Sequence, residues 1–273
     1  KHIVGPGGKG SNQAIAAARL GAQVNFITKI GNDQNANMAL NLYKEVGINT
    51  DSIIQDENQL TGVAGIMINE KTGDNAINIV PGAAGSLTNK DIDKNINFIE
   101  NSEIFLTQLE TPYEVTSYAL QKAKETGSIT IFNPAPASNI NESDFKCMDY
   151  FTPNETEASF YLKKNVESKA EIEEAAKYFL NKGVKNIVIT LGSKGVYFAS
   201  SSESYFLDAF NLKDKVIDTT GAGDAFNGAF AYALSKNHKD KDALEFANKV
   251  AGISTTRVGA ANAIPKLKEV EDY

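Results

Sequence analysis

The chain has 273 residues, 42% of them apolar, and a formal net charge of -7, enough to build one large α/β domain or two small ones around a filled core. The acidic balance argues against a nucleic-acid partner and against an anionic membrane surface. No apolar run is long enough to span a bilayer, no signal peptide is expected, and the single cysteine, Cys147, excludes an intrachain disulfide, which fits a reducing cytoplasm.

In chain order, Gly7-Gly8-Lys9-Gly10-Ser11-Asn12-Gln13 leads into an Ala-rich stretch that predicts a helix over Asn12–Leu20, stopped at Gly21. The glycines allow a ligand to approach closely, and Lys9, Asn12 and Gln13 can donate to hydroxyls. The segment lacks the spacing of a phosphate-binding Walker loop and has no Ser or Thr directly after the Lys. A polyol or sugar suits it better than a phosphate; simple capping by Ser11 or Asn12 is the other reading.

A strand is predicted over Val24–Thr28 and a helix over Asn37–Val46. The alternating runs Val63–Ile68 and Ala76–Val80, separated by Lys71-Thr72-Gly73-Asp74, predict a hairpin. Strand and helix then alternate: strand Ile104–Leu106, helix Tyr113–Glu125, strand Ile129–Phe132 and strand Tyr150-Phe151. Helix Ala170–Leu180, strand Asn186–Leu191 and a final long helix Ala243–Thr256 follow. This alternation predicts a single α/β domain with a mostly parallel sheet covered by helices on both faces, plus a small β elaboration.

Ligands of such sheets bind at the carboxyl ends of the strands. There the sequence places Gln108 and Glu110, Asn133, then Thr152, Asn154 and Glu157, then Thr190, Gly192 and Ser193, and finally Asp218 and Asp224. The last group is the most informative. Val216 and Ile217 read as a strand end, and from Phe226 the apolar residues 226, 229, 230, 233 and 234 fall on one helix face. Gly221-Ala222-Gly223-Asp224 lies between. A glycine corner before a helix start offers N–H groups to an anion, and Asp224 would stand beside it as a general base. A plain glycine turn capped by Asp224 fits the same residues. His2, His238 and Cys147 suggest no role.

Six segments in order resemble the ribokinase-like family of sugar and nucleoside kinases, from Gly7 to about Pro265. They are Gly7–Gln13, Gln108–Pro112, Asn133–Pro136, Thr152–Glu157, Thr190–Gly195 and Asp218–Ala229. The first two favour the ribokinase branch over fructokinase or adenosine kinase members. The resemblance implies a three-layer α/β fold and transfer of the ATP γ-phosphoryl group to the 5-hydroxyl of D-ribose, giving D-ribose 5-phosphate and ADP. A kinase for another pentose, deoxyribose or a nucleoside, and a non-catalytic sensing relative, are the alternatives.

It further implies Asp224 as base, with Gly221, Ala222 and Gly223 as the anion hole. Gly8, Lys9, Gly10, Ser11, Asn12 and Glu110 match sugar-binding positions. Asn154 and Glu157 match an element that handles phosphates and Mg2+. Thr190, Leu191, Gly192, Ser193, Lys194, Gly195, Gly223 and Asn248 match the nucleotide site, with Asn248 near adenine. An activating K+ would take Asp218, Thr220, Ser254, Arg257, Gly259 and Ala263. The hairpin, with residues 1–6, would form a lid over the sugar and join two copies as a homodimer. The family's first strand, with an Asn-x-Asp element that grips the sugar, has no counterpart in this sequence. Gly82-Ala83-Ala84 stands where relatives often end in Asn.

Overall fold

Side chains that the apolar period does not reveal set several helix starts in this computed structural model, which describes residues 4–68, 75–212 and 216–273. Helix α1 spans Lys9–Arg19 and α2 spans Gln34–Glu45, each beginning three residues before the sequence expectation. For α2 the cause is Asp33, whose carboxylate accepts the Ala36 N–H and caps the helix. Strand β1 (Thr28–Gly31) pairs in parallel with β2 (Ile53–Asp56). The strand expected over Val24–Thr28 is therefore displaced; only an isolated bridge from Asn25 to Asn49 forms there.

The hairpin is present as β3 (Thr61–Ile68) and β4 (Asn75–Gly82), antiparallel with Val63 opposite Val80. Its expected turn, residues 71–74, lies outside the described residues. Residues 4–6 carry no strand; Gly5, Pro6 and Gly7 are poor ladder formers. Short helices α3 (Asn89–Lys94) and α4 (Ile96–Glu100) then lead to β5 (Ile104–Thr107), α5 (Tyr113–Glu125), β6 (Ile129–Phe132) and β7 (Tyr150–Phe151). Helix α6 (Glu155–Leu162) and helix α7 (Lys169–Lys182) follow. Asn154 with Glu157, and Ser168 with Glu171, close a capping box at the start of each. Gly183, left-handed, ends α7. Strands β8 (Asn186–Thr190), β9 (Val196–Ser200) and β10 (Ser204–Leu207) precede α8 (Ala222–Ser235), α9 (Asp240–Ser254) and α10 (Leu267–Glu271).

The main sheet has the order β10-β9-β8-β7-β6-β5. Its β5 to β8 pairs are parallel, and β9 and β10 add an antiparallel edge. Successive residues of a strand face opposite sides, so each strand feeds two cores. Ile131 and Val188 enter a core with α1, α8 and α9, built on Ile15, Phe226, Phe230 and Val250. Phe132, Ile187 and Ile189 enter a second core with Leu120, Phe151 and Phe179. The result is the three-layer α/β fold expected. Among the described residues no helix is long and apolar enough to cross a membrane.

One expectation fails at an informative place. Val216 and Ile217 belong to no strand. Both are exposed, and the N–H groups of Ile217 and Asp218 donate to the Thr255 carbonyl at the end of α9. The chain reaches α8 from a loop braced on α9, beyond the sheet's edge strand.

Candidate active site

Helix α8 starts at Ala222, four residues before Phe226, so Asp224 lies within its first turn. Gly221 precedes it in the left-handed region (φ 75°), packed so that a Cβ would stand 2.9 Å from that of Ala260. No side chain caps this helix. Ala222 donates its N–H to the Thr219 carbonyl. Among the described residues, the N–H groups of Gly221, Gly223 and Asp224 have no protein acceptor. Nothing stands within 4 Å of where a Gly223 Cβ would be. Of the residues expected to form an anion hole, Ala222 is engaged, and the corner is left open with three free N–H groups, from Gly221, Gly223 and Asp224, at the positive end of a 14-residue helix.

Close packing of α1 on α8 brings the base and the Gly-rich segment together. A Cβ at Gly228 would overlap the Gln13 carbonyl oxygen and the Ala16 side chain; the missing side chain lets the two backbones touch. Asn12 Nδ2 then donates to Asp224 Oδ2 (2.8 Å) and Gln13 Nε2 to Asp224 Oδ1 (3.2 Å). Asp224 is only 6% exposed. Burial pushes its carboxyl up to about 6, against the Lys9 charge and the two amide donors, which favour the anion. A carboxylate with that pKa is ionised at neutral pH and basic enough to take a proton from a hydroxyl.

Glu110 Oε2 accepts the Lys9 N–H at 2.7 Å. Gly8 (φ 92°) has room for a Cβ only 3.6 Å from that carboxylate, and Gly10 only 3.0 Å from Gln108 Oε1. Gly8, Lys9, Gly10, Asn12, Glu110 and Asp224 therefore form one cluster. Ser11 points elsewhere: it is buried and its Oγ accepts from the Tyr43 hydroxyl (2.9 Å). Asn12 is committed to Asp224 through its Nδ2, while its Oδ1 is buried without a partner.

Glu157 and Asn154 satisfy each other's backbone N–H groups at the start of α6 (2.8 and 2.7 Å). Burial raises the Glu157 carboxyl to about 7, with the Asp224 charge adding to the rise and Lys9 opposing it. Asn154 is bridged to Thr190, which carries the site into the Thr190–Gly195 turn. In that turn Leu191 is buried in the core and Lys194 pairs with Glu155 at 3.0 Å. Asn248 lies on the far side of residues 207–209, against which Gly195 of this turn packs. It lines a groove of about 650 Å³ between residues 207–211 and α9, and its Nδ2 reaches the Asp208 carbonyl at 3.4 Å.

Asp218 ties two loops. Its Oδ1 accepts the Thr220 N–H (2.9 Å) and its Oδ2 the Gly259 N–H (2.8 Å). Burial pushes this carboxyl up, but the Thr220 and Gly259 bonds outweigh it and hold it below its ordinary value. Of the other residues expected around a cation, Ser254 and Ala263 are buried and Arg257 directs its guanidinium to Glu269 (2.6 Å). Among the described residues no three His, Cys, Asp or Glu side chains are grouped to hold a metal ion. A cation here would rest on carbonyl groups, or on phosphate and water.

Sequence reasoning placed Gln108, Asn133 and Thr152 at strand ends and Gln13 beside the helix. It did not foresee that they form one buried chain, and it missed Asn227 altogether. Gln108 Nε2 donates to Gln13 Oε1 (2.7 Å), and Gln13 Nε2 also donates to Asn133 Oδ1 (3.1 Å). Asn133 Nδ2 donates to the Thr152 carbonyl (2.9 Å). Thr152 Oγ1 donates to Asn227 Oδ1 (2.6 Å), and Asn227 Nδ2 returns to the Gly223 carbonyl (2.9 Å).

A three-layer α/β fold that brings a helix start with free N–H groups, a buried carboxylate and an adjoining polar cluster to one corner suits a phosphotransferase acting on an alcohol. Comparison with known proteins agrees. The profile of the pfkB family of carbohydrate kinases matches residues 4–267. The chain is 39% identical to the ribokinase of Staphylococcus aureus, over 97% of its own length and 86% of that protein. The crystal structure of a Thermotoga maritima ribokinase superposes with a TM-score of 0.89 at 41% identity, covering 100% of this chain and 88% of that one. A structure of Arabidopsis thaliana ribokinase complexed with ribose and ATP gives 0.92 at 29% identity, covering 97% and 86%. The chain belongs to the pfkB carbohydrate kinase family and is an ATP-dependent sugar kinase.

Proposed function

We propose that the protein phosphorylates D-ribose at its 5-hydroxyl, using ATP. The observation that carries this reading is the buried Asp224 carboxylate, held by Asn12 and Gln13 beside free N–H groups at the start of α8. Asp224 takes the proton of the ribose O5 hydroxyl as O5 bonds to the γ-phosphorus. The bond from that phosphorus to the bridging oxygen breaks, and ADP leaves. Negative charge on the transferred group meets the N–H groups of Gly223 and Asp224. Gly8, Lys9, Gly10 and Glu110 line the sugar side.

Glu157 and Asn154 face the phosphates and Mg2+ through water, which suits a cation that keeps its hydration shell. The nucleotide runs past the Thr190–Gly195 turn, its base toward Asn248. An activating K+ would sit between the loops that Asp218 joins and stiffen the corner before α8.

The whole chain is one kinase domain, and the hairpin is its lid. Val63, Met67, Ile79 and Val80 are exposed there, an apolar surface suited to pairing with the same hairpin of a second copy in a cytoplasmic homodimer. Closure excludes water that would otherwise compete for the phosphoryl group.

The test is ADP release and product identification across a panel of D-ribose, 2-deoxy-D-ribose, D-fructose and adenosine. Ribose 5-phosphate as the product formed with the highest kcat/KM is the expected result. A higher kcat/KM for any other acceptor would overturn the assignment.

A further inference from the structure

Thr152 and Asn227 are buried behind the phosphate corner and have no place in the mechanism described above. Thr152 is 1% exposed and Asn227 also 1% exposed. Their hydrogen bonds nevertheless end on the reacting corner. The Thr152 hydroxyl donates to Asn227 Oδ1, which fixes which way the Asn227 amide points. Its Nδ2 then donates to the Gly223 carbonyl.

That carbonyl belongs to the same planar peptide as the Asp224 N–H, so holding one end fixes the direction of the other. The helix contributes the Asn227 N–H to the same carbonyl, but the N–H side of this first-turn peptide has no intrahelical partner and no side-chain cap, so the Asn227 amide adds a second hold on it. At the opposite end of the chain, Gln13 bonds Asn133 and Asp224 with the same Nε2, and Asn133 holds the Thr152 carbonyl.

We propose that Thr152 and Asn227 are positioning residues that lock the orientation of the Gly223–Asp224 peptide, aligning the anion hole with the Asp224 carboxylate. This rests on the kinase reading of the corner. A transition state in flight is sensitive to the alignment of its donors, whereas ground-state binding of ribose and ATP depends on other groups. The pair should therefore act on kcat and leave KM nearly untouched.

The test uses Thr152→Val and the double variant Thr152→Val/Asn227→Leu in the full chain. Thr152→Val strands the Asn227 amide oxygen, so both kcat and the thermal midpoint fall. The double variant removes both polar partners and refills the space, and such paired replacement recovers stability. Its thermal midpoint is expected to return close to the parent's while kcat stays on the order of tenfold low. The KM values for ribose and ATP are expected within about twofold of the parent, since the lost contact acts in the transition state.

Recovery of kcat along with the midpoint would overturn the proposal, since the pair would then be ordinary packing. So would a rise in KM with unchanged kcat, or an unchanged kcat in Thr152→Val. The parent's own turnover in the same assay judges the kinase reading; the ratio of variant to parent judges this one.

Discussion

The start of α8 and the β3–β4 hairpin sit at opposite extremes of burial. At α8, polar side chains from two distant segments are almost wholly buried, with Asn12 and its neighbour Gln13 both donating to Asp224. In the hairpin, Val63 and Val80 face each other across the ladder and both stay about half exposed. The first region spends stability to fix a carboxylate in an apolar setting. The second leaves apolar surface uncovered for something to cover. On the proposed reading the two have separate tasks: the first is a fixed place for charge to move, and the second closes over the sugar.

The largest expected effect comes from breaking the helix contact that creates the rigid region. Gly228→Val places a branched side chain against the Gln13 carbonyl and Ala16. Forcing α1 away from α8 should cost about 1–3 kcal/mol and on the order of a hundredfold in kcat/KM, as Asn12 and Gln13 lose their reach to Asp224. Full activity in this variant would show that the close packing does not position the base.

Next is the charge itself. Because the Asp224 pKa is raised to about 6 from 3.8 in the folded protein, the fold binds its proton more readily than the unfolded chain does. Between about pH 4 and 6 stability falls as pH rises, and above pH 6 the full penalty persists. Asp224→Asn should therefore raise the unfolding midpoint at pH 7.5 and leave it nearly unchanged at pH 4, with a gain on the order of 1–3 kcal/mol. The Asn12 amide can turn to offer its unpartnered Oδ1 to the new amide. Thermal melts at the two pH values check this.

The same raised pKa places the acid limb of kcat/KM near pH 6. Gln13→Leu removes a bond that lowers the Asp224 pKa, so the limb should move to higher pH. A limb that stays in place would mean that Gln13 does not tune the base.

The smallest effect on folding is expected in the hairpin. Val80→Asp adds a charge where the side chain is already 55% exposed, so monomer stability should stay within about 0.5 kcal/mol. Sedimentation should nevertheless show dimers lost. A dimer of parental strength would remove the hairpin from the interface.

The two regions also differ in how far the sequence disclosed them. The hairpin and elements such as α5, β6 and β7 are written in local alternation, helical period and glycine stops, and they stand where those signals put them. Starts of α1, α2 and α8 were read late because capping and glycine geometry, not apolar period, set them. Val216 and Ile217 carry strand-like residues, yet their N–H groups bond the end of α9, a tertiary choice no local pattern encodes. In the site, single motifs gave Asp224, Asn12 and Glu110. The links between Gln108, Gln13, Asn133, Thr152 and Asn227 are hidden because each joins residues 19 to 120 positions apart, brought together only by the sheet and its packed helices, and the last one runs back one turn from Asn227 to Gly223.

The most direct measurement is turnover of Asp224→Asn beside ribose binding by calorimetry. If this carboxylate takes the O5 proton, kcat falls about 10²–10⁴-fold while ribose still binds. An Asp224→Asn protein that phosphorylates ribose at the parental rate would contradict the account.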